Sequence, residues 1–286
     1  MSFSQEVKEE LSKLSNLANK QEVKMEFLGY LASNNISTET KYLRFSTEND
    51  YNIDRFSKII RNIGFEDFSI NVNGKLFFIK ISKKKADNIE KFDFKTDQIN
   101  DVRAFIRGLF MGSGSINNPE KKYHLECGIR EENDIKKIVD LLKQSDINFK
   151  NNDKTIYTKE GEEISKFLAL IGASKAVINF EEIRVIRDIR NNVNRKVNCE
   201  TANLNKTVNA AVRQIEDIKF IYKSKAEDKL SDNLKEIANL RMENPDISLV
   251  ELGKLLKEPI GKSGVNHRLK KIQEIANELR GNKWKK

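Results

Sequence analysis

Cationic and amide side chains that can bond both bases and phosphates are concentrated near the C-terminus. The set comprises Lys262, Ser263, Asn266, His267, Arg268, Lys270 and Lys271. Asparagine can form two hydrogen bonds with adenine, arginine or lysine can bond guanine, and lysines can hold phosphates. The pattern therefore predicts contacts with double-stranded DNA, with Asn266 at adenine and either Arg268 or Lys262 at guanine.

A second candidate set lies upstream, in the run Asn191–Lys206. Arg195, Lys196 and Asn198 are additional candidates for DNA contact, because cations and amides both bond phosphates. Across Arg184–Lys225, ten basic residues against four acidic ones give a balance of +6. The competing interpretation is a solvated helix surface that binds no ligand.

Side chains suited to metal-dependent or nucleophilic catalysis are scarce. The chain contains two histidines, His124 and His267, and two cysteines, Cys127 and Cys199, without CxxC spacing. Such a set supports neither a zinc site nor a disulfide framework. We therefore expect reduced thiols in packed positions, no metal and no cofactor.

The overall charge also indicates a polyanionic partner. Lys and Arg number 52 against 43 Asp and Glu, which gives a net charge of +9 and a pI near 9.3. Proteins with this balance bind nucleic acids or acidic surfaces. No apolar run reaches membrane-spanning length, and the first residues lack the apolar core of a signal peptide. We expect a cytoplasmic, nucleoid-associated protein without membrane contact.

Three predicted helices position the C-terminal set. They span Asp232–Glu243, Leu249–Leu256 and the residues after Ser263. Ser248 and Glu251 have capping-box spacing at the second helix, and Ser263 is predicted to cap the third. The apolar stripe of the third helix consists of Val265, Leu269, Ile272, Ala276 and Leu279. This pattern is typical of a helix-turn-helix, whose second helix enters the major groove with its N-terminal residues at the bases.

The first half of the chain contains two copies of one pattern of elements. Each predicted copy has a helix, a strand, a second helix and a pair of strands. The first copy spans Val23–Ala32, Lys41–Ser46, Ile53–Ile63, Phe68–Val72 and Leu76–Ile81. The second spans Val102–Met111, Tyr123–Ile129, Ile135–Leu142, Ile147–Lys150 and Thr155–Thr158. Two such modules pair into a pseudo-twofold α+β domain.

Glycines occupy matching positions in the leading helices of the two copies, Gly29 in FLGYLASNN and Gly108 in IRGLFMGSG. Glycine inside a helix costs about 1 kcal/mol relative to alanine, so we expect a close helix-to-helix contact there. The segment Ile106–Gly114 resembles the LAGLIDADG helix of homing endonucleases, and Phe27–Asn35 is a weaker first copy. The resemblance implies that the two helices pack at the pseudo-dyad.

The same resemblance locates two positions that hold metal in homing endonucleases. There, a carboxylate at the end of each helix binds the divalent cation that cleaves DNA, and the corresponding residues here are Asn34 and Ser113. Neither is an anionic ligand, which metal-assisted cleavage requires. The nearest acids, Glu39 and Glu120, follow the helix ends and would have to replace both ligands. We therefore expect no enzyme activity, with a residual endonuclease as the alternative.

Four further segments resemble one family together. They are SFSQEVKEEL, RAFIRGLFMGSGSINNPEKKYHLE, NVNRKVNCETANLNK, and SLVELGKLL followed by KSGVNHRLKKI. Through them nearly the whole chain resembles the WhiA sporulation-regulator family of Gram-positive bacteria. The resemblance implies a degenerate homing-endonuclease domain, a helix-turn-helix similar to region four of sigma factors, and transcription regulation linked to cell division or sporulation. It also implies protein partners, such as a sigma factor or another transcription protein.

The predicted organisation has three parts. An α+β LAGLIDADG-like domain covers residues 1–180, with repeats at about 20–85 and 100–160, and a helical connector covers 181–225. An all-α helix-turn-helix domain covers 226–286. A monomer is expected, because the first domain already carries internal twofold symmetry. The alternative to a DNA-binding regulator is a protein-interaction scaffold, for which replacing Asn266 and Arg268 with alanine would have no effect.

Overall fold

The computed structural model describes residues 1–89 and 91–283, and the chain divides into two compact units, Met1–Ile189 and Arg190–Lys286. Residues 284–286, the end of the predicted helix-turn-helix domain, lie outside the described residues. Each unit has its own hydrophobic core. Among the described helices, none combines the length and apolar character needed to cross a membrane.

Two copies of one α+β module make up most of the first unit. After α1 (Phe3–Ser12), the first copy consists of α2 (Lys20–Ala32), β1 (Ile36–Thr38), β2 (Tyr42–Thr47), α3 (Asp50–Asn62), β3 (Ile70–Asn73) and β4 (Leu76–Ser82). After α4 (Lys83–Asp87), the second copy consists of α5 (Ile99–Ser113), β5 (Gly114–Ile116), β6 (Leu125–Gly128), α6 (Glu132–Gln144), β7 (Lys150–Asn152) and β8 (Thr155–Thr158). The helix α7 (Gly161–Ile171) follows. The predicted repeat and its α+β class are confirmed.

Each copy forms a four-stranded antiparallel sheet, with strand orders β1-β2-β4-β3 and β5-β6-β8-β7. The prediction of three strands per copy is wrong, because it lacks β1 and β5. These strands are three residues long and form only by pairing, Ile36 opposite Phe45 and Gly114 opposite Cys127. The seventh strand also begins later than predicted, since Ile147 is buried in the core instead of pairing.

The two leading helices, α2 and α5, pack against each other through their glycines. A Cβ atom on Gly29 would overlap the carbonyl oxygen of Phe105, and a Cβ atom on Gly108 would overlap the carbonyl oxygen of Glu26. Only glycine therefore permits this backbone separation. The predicted close contact between the helices is confirmed, and it brings their C-terminal ends together, where Gly112 lies against Ser33.

A single helix, α8 (Ser174–Lys223), runs through the predicted connector. Phe180 near its start belongs to the core of the first unit, and Ile218 and Ile221 near its end belong to the core of the second. Residues 188–210 are exposed on every side of the helix. The expectation that both thiols are packed is therefore wrong for Cys199, which lies in this span, whereas Cys127 is buried.

The second unit continues with α9 (Asp232–Glu243), α10 (Leu249–Lys254) and α11 (Lys262–Lys283). Its core contains Ile237, Leu252, Val265, Leu269, Ile272 and Ala276. The third helix starts at Lys262, so Ser263 lies in its first turn and is not its cap. The reason is that the Gly261 carbonyl already accepts the first helical hydrogen bond, from the Val265 N–H at 3.1 Å. Ser263 thus keeps its hydroxyl for other partners.

Candidate nucleic-acid interface

The first three turns of α11 present a polar face opposite their buried stripe. The exposed residues of this face are Lys262, Ser263, Asn266, His267, Lys270 and Lys271. Arg268 is partly buried at its side, while Val265 and Leu269 point into the core. The helical period separates the two sets, because residues three and four apart share one side of a helix. The structure thus brings all seven predicted residues onto one end of one helix.

A capping box holds the preceding helix, α10, at its start. The Ser248 N–H donates to Glu251 Oε2 at 2.9 Å, and the Glu251 N–H donates to Ser248 Oγ at 3.2 Å. The hydrogen bonds from Ser248 lower the pKa of Glu251. The predicted capping box is therefore confirmed, and it fixes where α10 begins relative to the turn before it.

Gly253 allows α10 to approach the segment that leads into α11. A Cβ atom at this position would overlap the carbonyl oxygen of Ile260 and would lie 3.0 Å from Val265 Cγ2. The Ile260 N–H also donates to the Gly253 carbonyl at 3.2 Å. At the other side of the turn, the Lys257 N–H donates to Glu236 Oε1 on α9, at 2.7 Å. These contacts set the direction in which α11 leaves the turn.

A buried arginine, which the sequence patterns do not reveal, holds the turn between α9 and α10. Arg241 donates through Nη1 to the carbonyl oxygens of Asn244, Pro245 and Ile247, the last at 2.9 Å. Burial lowers the pKa of Arg241, and the three carbonyl oxygens take the place of water around Nη1. The only sequence signal was an arginine on the apolar side of α9. An arginine in such a position usually packs its aliphatic stem against the core and keeps its charged group in solvent.

The far end of α11 is fixed to α8. Arg280 Nη1 lies 2.7 Å from Asp217 Oδ1, and its guanidinium carbon lies 4.8 Å from the ring centroid of Phe220. Tyr222 at the end of α8 donates to Asn239 of α9, at 2.8 Å. The exposed N-terminal end of α11 is therefore carried by a four-helix core rather than by a loop.

The electrostatics of the exposed face favour an anionic ligand. Lys262, Arg268, Lys270 and Lys271 form no salt bridge within the described residues, although acidic side chains are abundant elsewhere in the chain. The first-turn N–H groups of α11 also point out of the helix, where its dipole favours negative charge. Unpaired cations and a helix N-terminus together form a surface suited to phosphate oxygens.

The additional candidates lie on a different element of the same unit. Arg195, Lys196 and Asn198 occupy the exposed span of α8, and the structure does not bring them onto the polar face of α11. Arg195 and Asn198 lie on one side of the helix, because three residues advance it by nearly one turn. No salt bridge within the described residues involves Arg195 or Lys196.

Asn34 and Ser113, the two positions that the sequence resemblance matches to metal ligands, meet at one carbonyl group. Ser113 Oγ donates to the Gly128 carbonyl at 2.6 Å, and the Asn34 N–H donates to the same oxygen at 3.1 Å. Both side chains are neutral, and Ser113 is committed as a donor, so neither can supply the anionic oxygen that a divalent cation requires. These residues do not fit a catalytic metal centre.

The acids that would have to replace them are placed elsewhere. Glu39 pairs with Lys80, with Oε2 2.7 Å from Nζ, on the outer face of the first sheet. Glu120 lies in an exposed turn, where its N–H bonds the Asn118 side chain. Within residues 1–89 and 91–283, no group of three or more His, Cys, Asp or Glu residues is arranged to hold a metal ion.

The comparisons with known proteins agree with both units. The sequence-family model of the WhiA LAGLIDADG-like domain matches residues 102–190, and that of the WhiA C-terminal HTH domain matches residues 193–276. A probable cell division protein WhiA from Lachnospira eligens is 40% identical over 98% of each chain. One from Clostridium beijerinckii is 52% identical over 68% of this chain, and that match spans 62% of the relative's length.

Solved structures extend the likeness to three dimensions. Full-length WhiA from Thermotoga maritima has a TM-score of 0.60 and 28% identity, covering 97% of this chain and 99% of its own. The separate N-terminal LAGLIDADG domain of WhiA has a TM-score of 0.50 and 26% identity, covering 60% of this chain and 92% of its own. The two domain matches, the relative from Lachnospira eligens and the shared fold show that the chain belongs to the WhiA family.

Proposed function

We propose that this protein is a sequence-specific DNA-binding regulator of transcription, linked to cell division or sporulation, and that it does not cleave DNA. The observation that carries the proposal is the exposed end of α11, with its unpaired cations and amide beside a helix N-terminus. The link to division rests on relatives described as probable cell division proteins. Chromosomal DNA as the ligand implies action in the cytoplasm, at the nucleoid.

The proposal gives the side chains of α11 different roles. Asn266 bonds adenine through its amide, and Arg268 bonds guanine through two N–H groups, because these geometries match the edges of those bases in the major groove. Lys270 and Lys271 contact phosphates, and so contribute affinity without sequence preference. Ser263 and Lys262 contact the backbone at the helix N-terminus, where free N–H groups add hydrogen bonds.

The absence of nuclease activity is proposed from the chemistry of the pseudo-dyad. A divalent cation needs charged or carbonyl oxygens arranged around an open position. At the two corresponding positions stand an amide and a hydroxyl, and the hydroxyl of Ser113 donates to the Gly128 carbonyl. Restoring catalysis would require new carboxylates at both helix ends and the loss of that hydrogen bond.

The test is binding of the intact protein to genomic DNA fragments at two salt concentrations, with and without Mg²⁺. We expect a selected fragment to be retained over random DNA, with affinity falling as salt rises because counterions are released. Asn266→Ala and Arg268→Ala should each reduce the discrimination between the fragments by about 1–3 kcal/mol. Lys270→Ala should weaken binding to both fragments alike and reduce the salt slope by about one.

Gln273→Ala is the matched control, since Gln273 is exposed on α11 beyond the proposed contact residues. Equal discrimination by the Asn266→Ala and Gln273→Ala variants would contradict base reading by α11. A lack of binding at moderate salt would indicate a protein-docking bundle, with a sigma factor or another transcription protein as the partner class to examine. Cleavage that depends on Mg²⁺ would overturn the proposed lack of nuclease activity.

A further inference from the structure

The middle of α8 carries a row of exposed aliphatic side chains. Their exposed fractions lie between 48% and 64%. The row consists of Ile189, Val193, Val197, Leu204, Val208 and Val212. Single exposed aliphatic residues are ordinary on protein surfaces, but six along one side of a helix are typical of an interaction surface.

The row forms one stripe along the helix. At 100° per residue the six side chains fall within a sector of about 140°. Arg195, Lys206 and Arg213 fall on the opposite side, whereas Arg190 and Glu200 fall within the sector. This arrangement is the amphipathic pattern of a helix that buries one face, although no described part of the chain covers that face between residues 188 and 210.

The composition of this span gives a second reason to expect a partner. Residues 188–210 include seven asparagines, together with the β-branched Val193, Val197 and Val208. Asparagine and β-branched residues are poorer helix formers than alanine or leucine, and helical stability in proteins comes mainly from packing of an apolar face. A helix of this composition without a packing partner would be marginal in water.

The stripe is symmetric about the peptide bond between Glu200 and Thr201. Val197 and Leu204 lie equally far from that point in sequence, and the same holds for Val193 with Val208 and for Ile189 with Val212. We propose that a second copy of this chain covers the stripe, with the two α8 helices antiparallel about a twofold axis at this bond. Each aliphatic side chain then meets an aliphatic side chain of the second copy.

The size of the stripe suits a stable dimer. Six half-exposed aliphatic side chains on each copy would remove on the order of 1,000 Å² from water, which is the lower bound of specific interfaces. A twofold interface is isologous, which means that both copies contribute the same surface, and here that surface is the stripe. The monomer expected from the sequence rests on the symmetry of the first unit, which does not involve this stripe.

Charge is compatible with the antiparallel arrangement. Arg195, Lys206 and Arg213 lie on the opposite side of the helix and so do not face each other. Arg190 lies within the stripe at the angle of Val208, and in this register its side chain leans toward Glu216 of the second copy, because side chains on a helix point toward its N-terminus. The two Glu200 side chains lie beside the axis and lean apart for the same reason, each toward Lys196 of its own copy. A parallel pair would instead bring the two Arg190 side chains together.

The test is disulfide formation between introduced cysteines in the full chain, on a Cys199→Ser background. Cys127 remains unmodified, since burial raises the pKa of its thiol to about 12. Val193 and Val208 are separated by about 22 Å along one helix, so they meet only across an antiparallel pair. We expect Val193→Cys combined with Val208→Cys to give a covalent dimer under mild oxidation, and Val193→Cys alone to give none.

Arg195→Cys combined with Lys206→Cys is the matched control, because it has the same symmetry on the opposite side and should not crosslink. Leu204→Glu combined with Val197→Glu should convert the dimer to a monomer in sedimentation velocity, with the helix content unchanged by circular dichroism. Efficient crosslinking of Val193→Cys alone would indicate a parallel pair and overturn the arrangement. A wild-type monomer at micromolar concentration would overturn the dimer itself.

Discussion

At the residue scale, the first unit depends on one carboxylate that pairs with two guanidinium groups. Glu26 is fully buried, with Oε1 2.5 Å from Arg55 Nε and Oε2 3.0 Å from Arg107 Nε. Burial acts to raise the pKa of Glu26, but the hydrogen bonds and charges of Arg55 and Arg107 outweigh it and hold that pKa below its ordinary value. The carboxylate is therefore ionised in the folded protein.

Glu26→Gln should reduce the free energy of unfolding at pH 7 by about 3–5 kcal/mol, because it removes the buried carboxylate that pairs with Arg55 and Arg107. The folded-state pKa is lowered, so the contribution of Glu26 is complete above its unfolded pKa and is lost as pH falls through the folded value. The deficit of the variant should therefore shrink in acid. Urea unfolding at pH 7 and below pH 4 measures both effects.

Glu9→Gln is the control for this prediction, since Glu9 forms an exposed pair with Lys13 on α1. Exposed pairs contribute at most about 1 kcal/mol. An equal loss of stability in the two variants would show that Glu26 contributes no more than a surface charge.

At the element scale, the contact between α2 and α5 is set by backbone against backbone. Gly29 has the Phe105 carbonyl and the Leu109 N–H where a Cβ atom would lie. These atoms belong to a helix that is itself buried, so they cannot move aside as a flexible side chain can. The glycines therefore decide how close the two helices lie, and with that the positions of Asn34 and Ser113 at the helix ends.

Gly29→Ala tests this contact by the sign of its effect. Alanine is the better helix former by about 1 kcal/mol, so a free helix would gain stability. We expect a loss of about 2–3 kcal/mol instead, because the two helices must separate to admit the methyl group. Gly281→Ala on α11 is the matched control, because among the described residues no atom lies within 4 Å of the position that a Cβ atom would take. Its free energy of unfolding should rise slightly.

At the scale of the whole molecule, two separate cores predict two separable unfolding steps. The first core is built from α1 to α7, their sheets and the start of α8, and the second from the end of α8 with α9, α10 and α11. Compact units with their own cores unfold as their own cooperative segments. A substitution in one core should therefore leave the hydrogen-exchange protection of the other unit unchanged.

Hydrogen exchange followed by mass spectrometry should resolve the two units. Glu26→Gln is expected to accelerate exchange in residues 1–180 alone, and a saturating DNA fragment should slow exchange in α9 to α11, since binding to the native state stabilises it by mass action. Simultaneous loss of protection throughout the chain would show one cooperative unit and contradict the prediction.

Local patterns in the sequence identified the repeat, the α+β class of the first unit, the capping box at Ser248 and the buried stripe of α11. These features depend on residues that are close in sequence, so helical period and capping chemistry are enough to predict them. The polar set at the start of α11 was also predictable, because side chains of an amphipathic helix that do not face the core of the domain face solvent.

Other features were decided by residues that meet only in the folded chain. The strands β1 and β5 are too short for a pattern and exist through pairing, and the cluster of Glu26, Arg55 and Arg107 joins three helices. The Gly128 carbonyl that accepts from both Asn34 and Ser113 lies on a separate strand. The exposure of the α8 stripe was also decided by the tertiary structure, because an apolar stripe in a sequence predicts a buried face. Only the tertiary structure shows whether any part of the same chain provides it.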